Sequence, residues 1–425
     1  MKNSISLVVA KLACLFMLLF ITNGCMKDRV TRTYQIQTPI YETLTQARTV
    51  IKSGVATQLS YPGKITTYKN YIFINESYQG IHIIDNSDPG QPKNIAFLNI
   101  PGNTDLSIRN DALYANESYG DLVVFDISDP AHAVARTFVQ NVFYNYSNRS
   151  PDSTLVVTGY TTKDTTIRFD PDNPPLNYGG CAYCSTTFAP GAAYAAAAPN
   201  NNTTGTNGST SAFAIAGNYL YSLISGYELK VIDISNPDDP APANTITTGD
   251  YYQTIYPFED KLFLGSSNGM YIYDISDPAA PVKKGTFAHV RTCDPVIADG
   301  DNAFVTLRSG TPCVGYTNEL EVLDVSNIEN PSLLKVYQLT NPRGLSKDGD
   351  LLFICDGQDG LKVFNASDVQ KVSAIKTLSG FESNDVIAQH GVAVVLAVDG
   401  LYQFDYTDTA NIHQISKIST QTYAP

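Results

Sequence analysis

One short phrase recurs along the chain at a nearly constant interval: a run of alternating apolar residues closed by Asp-x-Ser-Asp/Asn-Pro. The fullest copies lie at 122–130 (LVVFDISDP), 229–237 (LKVIDISNP) and 270–278 (MYIYDISDP). Weaker copies lie at 81–89 (IHIIDNSDP), 320–328 (LEVLDVSNI), 361–369 (LKVFNASDV) and 401–409 (LYQFDYTDT), with a degenerate one at 166–174 (TIRFDPDNP). The Asp after the apolar run, Asn in one copy, marks the register at Asp85, Asp126, Asp170, Asp233, Asp274, Asp324, Asn365 and Asp405, in steps of 41, 44, 63, 41, 50, 41 and 40 residues. A period near 41 is the mark of a repeat architecture.

Each unit holds four short strand-like runs separated by polar turns, as in LSIRND, ALYANESYG, DLVVFDISDPAH and AVARTFVQN, with almost no helical periodicity. That is the pattern of a propeller blade. A lone four-stranded sheet cannot bury both faces, so blades close into rings. The expected fold is all-β: a single β-propeller of eight four-stranded blades, with seven as the alternative. Eight is favoured by the 44-residue step to Asp170 and by STLVVTGY at 153–160, which reads as a second strand of that blade. The seven-bladed reading treats residues 140–210 as one insertion. The segments 49–57 and 412–420 both look like fourth strands, either able to latch the ring by joining the last blade. The signature Asp and Ser are expected to accept turn N–H groups while Pro ends the ladder, a structural role for Asp85, Asp126, Asp170, Asp233, Asp274, Asp324, Asn365 and Asp405.

These copies resemble the LVIVD repeat of bacterial β-propellers, over roughly residues 60–420. Asp170, Asn365 and the Phe404-Asp405-Tyr406 copy depart from the pattern. The chain has no Trp, which sets aside the Trp-dependent blade types of WD repeats, quinoproteins and sialidase-like propellers.

Lys2 and Lys11 precede an apolar run at 12–21 (LACLFMLLFI), which is followed by Thr22-Asn23-Gly24-Cys25. Ten apolar residues are too few to cross a bilayer core of about 30 Å, so the run reads as a secretory signal. Thr22–Cys25 resembles a relaxed lipobox with Cys25 as the lipidated residue. Met26-Lys27-Asp28 resembles a sorting signal to the outer face of a Gram-negative outer membrane. The expected organisation is a signal peptide at 1–24, a polar tether at 25–46 and the propeller at 47–425, lipid-anchored in the outer membrane, exposed at the cell surface and monomeric. A net charge of −13 without a basic stripe argues against nucleic acid as partner. The Ala189–Ser211 stretch has linker composition and reads as a mobile surface loop.

In an oxidising compartment, Cys293 and Cys313 are the first disulfide candidates and Cys181 and Cys184 the second, while Cys355 reads as a core residue. The five His have no metal-ligand spacing, and neither a metal nor a cofactor is expected. Asp-Ser/Thr-small segments at 152–154, 164–166 and 408–410 resemble O-glycosylation acceptors. In a propeller the inner strands all begin at one rim of the axial channel. Aligning the units puts Lys64, Asp105, Thr254, Asp294, Arg343 and Asp385 there, a set able to bind a polar ligand or to satisfy itself around water. Two identical turns, Asn75-Glu76-Ser77-Tyr78 and Asn116-Glu117-Ser118-Tyr119, and 27 Tyr in all suggest an aromatic rim suited to protein or glycan. The leading expectation is a non-catalytic binding module. A hydrolase or lyase using Asp105, Asp294 or Asp385 with Arg343, and a structural envelope scaffold, are the alternatives.

Overall fold

The computed structural model describes residues 30–143, 155–169, 204–224, 226–289, 295–310 and 316–421. Two units are distinct. The first holds most of a two-stranded ribbon that pairs Val30–Thr43 with Leu155–Phe169, whose ends at 42–43 and 155–156 belong to the second. Thr33 and Thr166 hydroxyls lie 3.0 Å apart across the ribbon, and Thr161 Oγ1 donates to the Thr38 carbonyl at 3.3 Å.

The second unit is a β-propeller of seven four-stranded antiparallel blades, spanning 62–99, 106–139, 213–247, 252–288, 296–338, 345–378 and 383–419. The inner strands Pro62–Tyr68, Leu106–Arg109, Phe213–Ala216, Tyr252–Phe258, Val296–Asp299, Leu345–Asp348 and Ser383–Gln389 each neighbour the next, and the last neighbours the first. The ring therefore closes. Second and third strands, such as Tyr71–Glu76 and Gly80–Asp85, are buried on both faces, whereas outer strands such as His413–Ser419 are half exposed. Hydrophobic clusters form mainly between blades: Phe263, Ile272, Val305, Val322, Leu352 and Ile354 belong to one spanning the fourth to sixth. Cys355 is fully buried, and burial pushes its thiol well up.

The count of seven corrects the expectation of eight. Residues 155–160 go to the ribbon, where 160–164 are exposed, and so lack the continuous burial that a blade's second strand needs. Asp170 lies outside the described residues. The stretch read as a tether contains the strand Val30–Thr43.

Ring closure also differs from the expectation of a shared strand. His413–Ser419 is the seventh blade's own fourth strand. Lys52–Gly54 adds outside the first blade, pairing with Lys93–Asn99. Between first and seventh blades, Gln403 and Asn86 exchange side-chain amide hydrogen bonds of 2.7 and 2.9 Å. Gln389 donates to Thr67 Oγ1 at 3.0 Å, and the Gln421 amide to the Leu59 carbonyl at 2.7 Å.

The repeated phrase is two Asx turns in series. Oδ1 of Asp85, Asp126, Asp233, Asp274, Asp324, Asn365 and Asp405 accepts the amide two residues on, at 2.8–2.9 Å. Three residues further, Asp88, Asp129, Asn236, Asp277, Asn327, Asp368 and Asp408 repeat the contact at 3.0–3.2 Å. The side chain supplies locally what the ladder no longer can, so the strand stops and turns.

Candidate binding site at the axial mouth

In an antiparallel blade the start of the inner strand, the turn between second and third strands, and the connection to the next blade share one face. Lys64, Thr254 and Asp385 are each the third residue of an inner strand, Asp105 directly precedes one, and Arg343 lies two residues before another. Asp294 lies outside the described residues, as do Cys25, Cys181, Cys184, Cys293 and Cys313.

Lys64, Asp105 and Asp385 converge, and what occupies the space between them is the chain itself. Residues 204–213, from the insertion between second and third blades, run across the mouth of the channel. Thr206–Asn207 pairs antiparallel with the first inner strand, opposite Thr67 and Thr66. The Asn207 side-chain amide donates to Ser107 Oγ at 2.6 Å and the Phe213 carbonyl at 2.9 Å, while its oxygen accepts from Thr66 Oγ1 at 3.1 Å. Asp105 accepts from Ser211 Oγ at 2.9 Å, Leu106 N at 2.8 Å and Phe213 N at 3.2 Å, and also from Ala212 N. Asp385 accepts from Ser209 Oγ at 3.0 Å, Ser209 N at 3.2 Å, Thr210 Oγ1 at 3.0 Å and Val386 N at 2.9 Å. The Lys64 ammonium donates to the Thr210 carbonyl.

The electrostatics follow from burial. Asp385 is pushed up to about 6 by burial, against the Ser209 and Thr210 hydroxyls, the Val386 amide and the charge of Lys64. Burial likewise raises Asp105, opposed by Lys64 and by its Ala212, Ser211 and Leu106 donors. Burial lowers Lys64, and the two carboxylates oppose that. Each charge is sustained by the others and by the segment that crosses them.

The remaining rim residues go elsewhere. Arg343 turns away from Asp385: its guanidinium pairs with Glu382 and Asn384, and Nε donates to Asn341 Oδ1 at 3.2 Å. Thr254 is buried opposite Gly265 in the hairpin. Of the charges named from sequence, Lys64, Asp105 and Asp385 lie together; sequence reasoning passed over Asn207, Ser209, Thr210 and Ser211 beside them, because a run of small polar residues reads as linker. Among the described residues, 207–211 are half-buried or buried, which corrects the surface-loop expectation for that part of Ala189–Ser211.

The same face carries exposed aromatics. Of the five exposed tyrosines of this unit among the described residues, Tyr61 leads into the first inner strand, Tyr251 sits in a blade connection, and Tyr78, Tyr227 and Tyr316 sit in second-to-third-strand turns. Tyr227 and Tyr251 meet edge to face at 5.1 Å, and Tyr251 lies flat over Gly226, where a Cβ would come within 2.3 Å of its ring. Tyr119, by contrast, is buried, so the repeated turns do not make a uniform aromatic rim.

The identical turns also diverge in charge. Glu76 accepts from Ser60 N at 3.0 Å, Ser60 Oγ at 2.7 Å and Tyr61 N, and lies 2.9 Å from His82 Nε2. Burial opposes its ionisation, but these donors hold it below the ordinary carboxylate range. Glu117 has Val123 where Glu76 has His82. Burial pushes it up to about 7, despite the Tyr119 and Asp121 amides and the nearby Arg48, which pairs with Asp121.

The axial arrangement and the repeat define a seven-bladed β-propeller with a self-filled channel mouth. The LVIVD repeat model matches residues 62–96, 103–137, 207–248, 260–289 and 312–338, so the first five blades carry LVIVD repeats. No curated protein matches the chain in sequence. Solved structures share the fold. A protein from Lactobacillus plantarum is 15% identical, with a TM-score of 0.54 over 84% of this chain and 96% of that one. A functionally unknown protein from Desulfotomaculum acetoxidans is 12% identical, with a TM-score of 0.52 over 82% and 95%. The periplasmic gluconolactonase of Pseudomonas aeruginosa is 12% identical, with a TM-score of 0.51 over 85% and 96%. At these identities the likeness is one of fold alone.

Proposed function

We propose that this chain is a non-catalytic binding module, lipid-anchored through Cys25 at the outer membrane, that engages a protein or glycan with its tyrosine-bearing face. One observation carries the reading. Asp105 and Asp385, the carboxylates available for acid–base work or for a polar ligand, are committed to residues 209–213 of the same chain. What the face offers a partner is then its exposed tyrosines, Tyr61, Tyr78, Tyr227, Tyr251 and Tyr316. Tyr buries much area at small conformational cost, and the Tyr227–Tyr251 corner is already held in place. The hydrolase alternative needs a carboxylate pair free to reach substrate, and these two give their lone pairs to backbone amides and hydroxyls.

The test is site-specific photo-crosslinking on intact cells, with a photoreactive residue at Tyr78, Tyr227 or Tyr316 and, as control, at Asp129 or Asp368 on the opposite face. A glycan array is run beside it with Tyr78, Tyr227 and Tyr251 changed to Ala. Adducts or glycan signals confined to the tyrosine positions are expected. Adducts only from the opposite face would refute the reading. Fatty-acid labelling that survives Cys25→Ser would refute the anchor.

A further inference from the structure

The segment at the channel mouth comes between second and third blades in sequence, yet it bonds to blades from both ends of the chain. We propose that residues 205–212 are the latch of the ring: a strand-like peptide bound in cis, in a site specific for an extended, uncharged, small-residue sequence. It takes the place of the strand exchange the ring lacks.

Four observations converge. The segment adds to the free edge of the first inner strand through Thr206 and Asn207, the peptide-recognition mode in which backbone bonds supply affinity. Its next residues cross the joint between first and seventh blades. Gly208 N donates to the Ile65 carbonyl at 2.7 Å and Lys64 holds the Thr210 carbonyl on one side. On the other, Asp385 takes three donors from Ser209 and Thr210. It reaches further: Leu345 N of the sixth blade donates to Ser209 Oγ at 2.8 Å, and Ile255 N of the fourth to the Ser211 carbonyl at 3.1 Å. The fit is also close at both glycines, leaving no room for a Cβ at Gly208 and little at Gly205. A Cβ on Gly208 would lie 2.3 Å from Asp385 Oδ2 and 2.9 Å from Ile65, and one on Gly205 would lie 3.1 Å from Ile108 and Thr66.

The energetics make the latch cooperative with closure. With the segment in place, the ammonium and two carboxylates are bonded. Without it, Asp385 loses three of its four donors and Asp105 two of its four, which is unfavourable for carboxylates at a site this buried. Opening the first-to-seventh joint and releasing the segment are therefore one event. Neither the Gln403–Asn86 exchange nor the Gln389–Thr67 contact at the same joint touches a buried charge.

The test uses the chain from Met26 onward with Gly208→Val, and separately the milder pair Ser209→Ala with Thr210→Ala. Amide hydrogen exchange is read in 62–68 and 383–389, at the joint, and in 269–274, within the fourth blade. Loss of even one to two net hydrogen bonds corresponds to roughly tenfold faster opening, so joint exchange is expected to rise about tenfold or more while 269–274 keeps its protection. A peptide copying residues 203–213, added to the Gly208→Val chain, is expected to restore joint protection and to leave the unaltered chain unaffected. The proposal is overturned if both variants expose residues 205–211 but leave the joint at its original rate. It is overturned equally if all blades accelerate together, or if the peptide acts alike on both chains.

Discussion

Glu117→Gln isolates one buried carboxyl whose ionisation opposes the fold. Burial raises Glu117 from the ordinary 4.5 to about 7, a difference on the order of 2.5 units; at about 1.4 kcal/mol per unit this amounts to about 3 kcal/mol. The folded pKa is raised, so between pH 4.5 and 7 the folded chain binds more protons than the unfolded one. Stability from this group is full below pH 4.5 and is lost as pH rises through 7. Gln cannot titrate. It loses one of the two amide contacts from Tyr119 and Asp121, which is a pH-independent offset. The unfolding free energy of the parent minus that of the variant should therefore fall by about 3 kcal/mol from pH 4.5 to 8, all other titrations cancelling. Urea unfolding followed by tyrosine fluorescence measures it, since the chain has no Trp. Parallel stability curves across this range would refute the argument, as would a Glu117 carboxyl that titrates near 4.5 by carbon NMR. Glu76→Gln should bend the other way: Glu76 is held low, so its stabilisation is present above pH 4.5 and is lost on further acidification.

Three further outcomes follow from packing and turns. Gly285→Ala would put a Cβ 1.8 Å from the Ile328 carbonyl oxygen of the next blade, and should lower stability by about 1–3 kcal/mol or more in calorimetry through overpacking. Gln403→Ala should cost about 1–3 kcal/mol by leaving Asn86 and the Pro89 carbonyl short of partners at the ring joint; an unchanged melting temperature would contradict the joint described above. Asp233→Asn should change stability by less than about 0.5 kcal/mol, because Asn365 already makes the same turn, whereas Asp233→Ala should lose about 1 kcal/mol.

The blade was legible because its signals are local. Strand alternation, the two-Asx turn and Pro recur within nine residues and dictate one hairpin corner wherever they occur. Blade number was not, since it depends on whether 155–169 finds a second buried face. That is a tertiary fact to which the alternation in STLVVTGY is blind. The axial charges could be placed at one mouth because inner strands are in phase; their partners could not. Asn207, Gly208, Ser209, Thr210 and Ser211 have no apolar pattern, and their order comes from Lys64, Asp105 and Asp385, more than a hundred residues away in either direction. Small polar residues read as linker unless the complementary charges are seen beside them.

The two Asn-Glu-Ser-Tyr turns show how a duplicated sequence parts ways in role, and they give a paired test of the binding face. Tyr78 has a left-handed φ of 63° and is 58% exposed. Tyr119 is buried against Ala47 and Val156, a contact the first blade does not repeat. Partner residues outside the tetrapeptide decide the outcome: a short helix at 44–47 covers the second turn, and His82 rather than Val123 stands behind the first. Tyr78→Ala should therefore leave thermal stability within about 0.5 kcal/mol, as an exposed substitution does, and lower partner capture. Tyr119→Ala should remove a buried aromatic, at a loss on the order of 3 kcal/mol, with capture per folded molecule unchanged. Equal stability losses in the two would mean that Tyr78 packs as Tyr119 does, and that this face owes its tyrosines to ancestry alone.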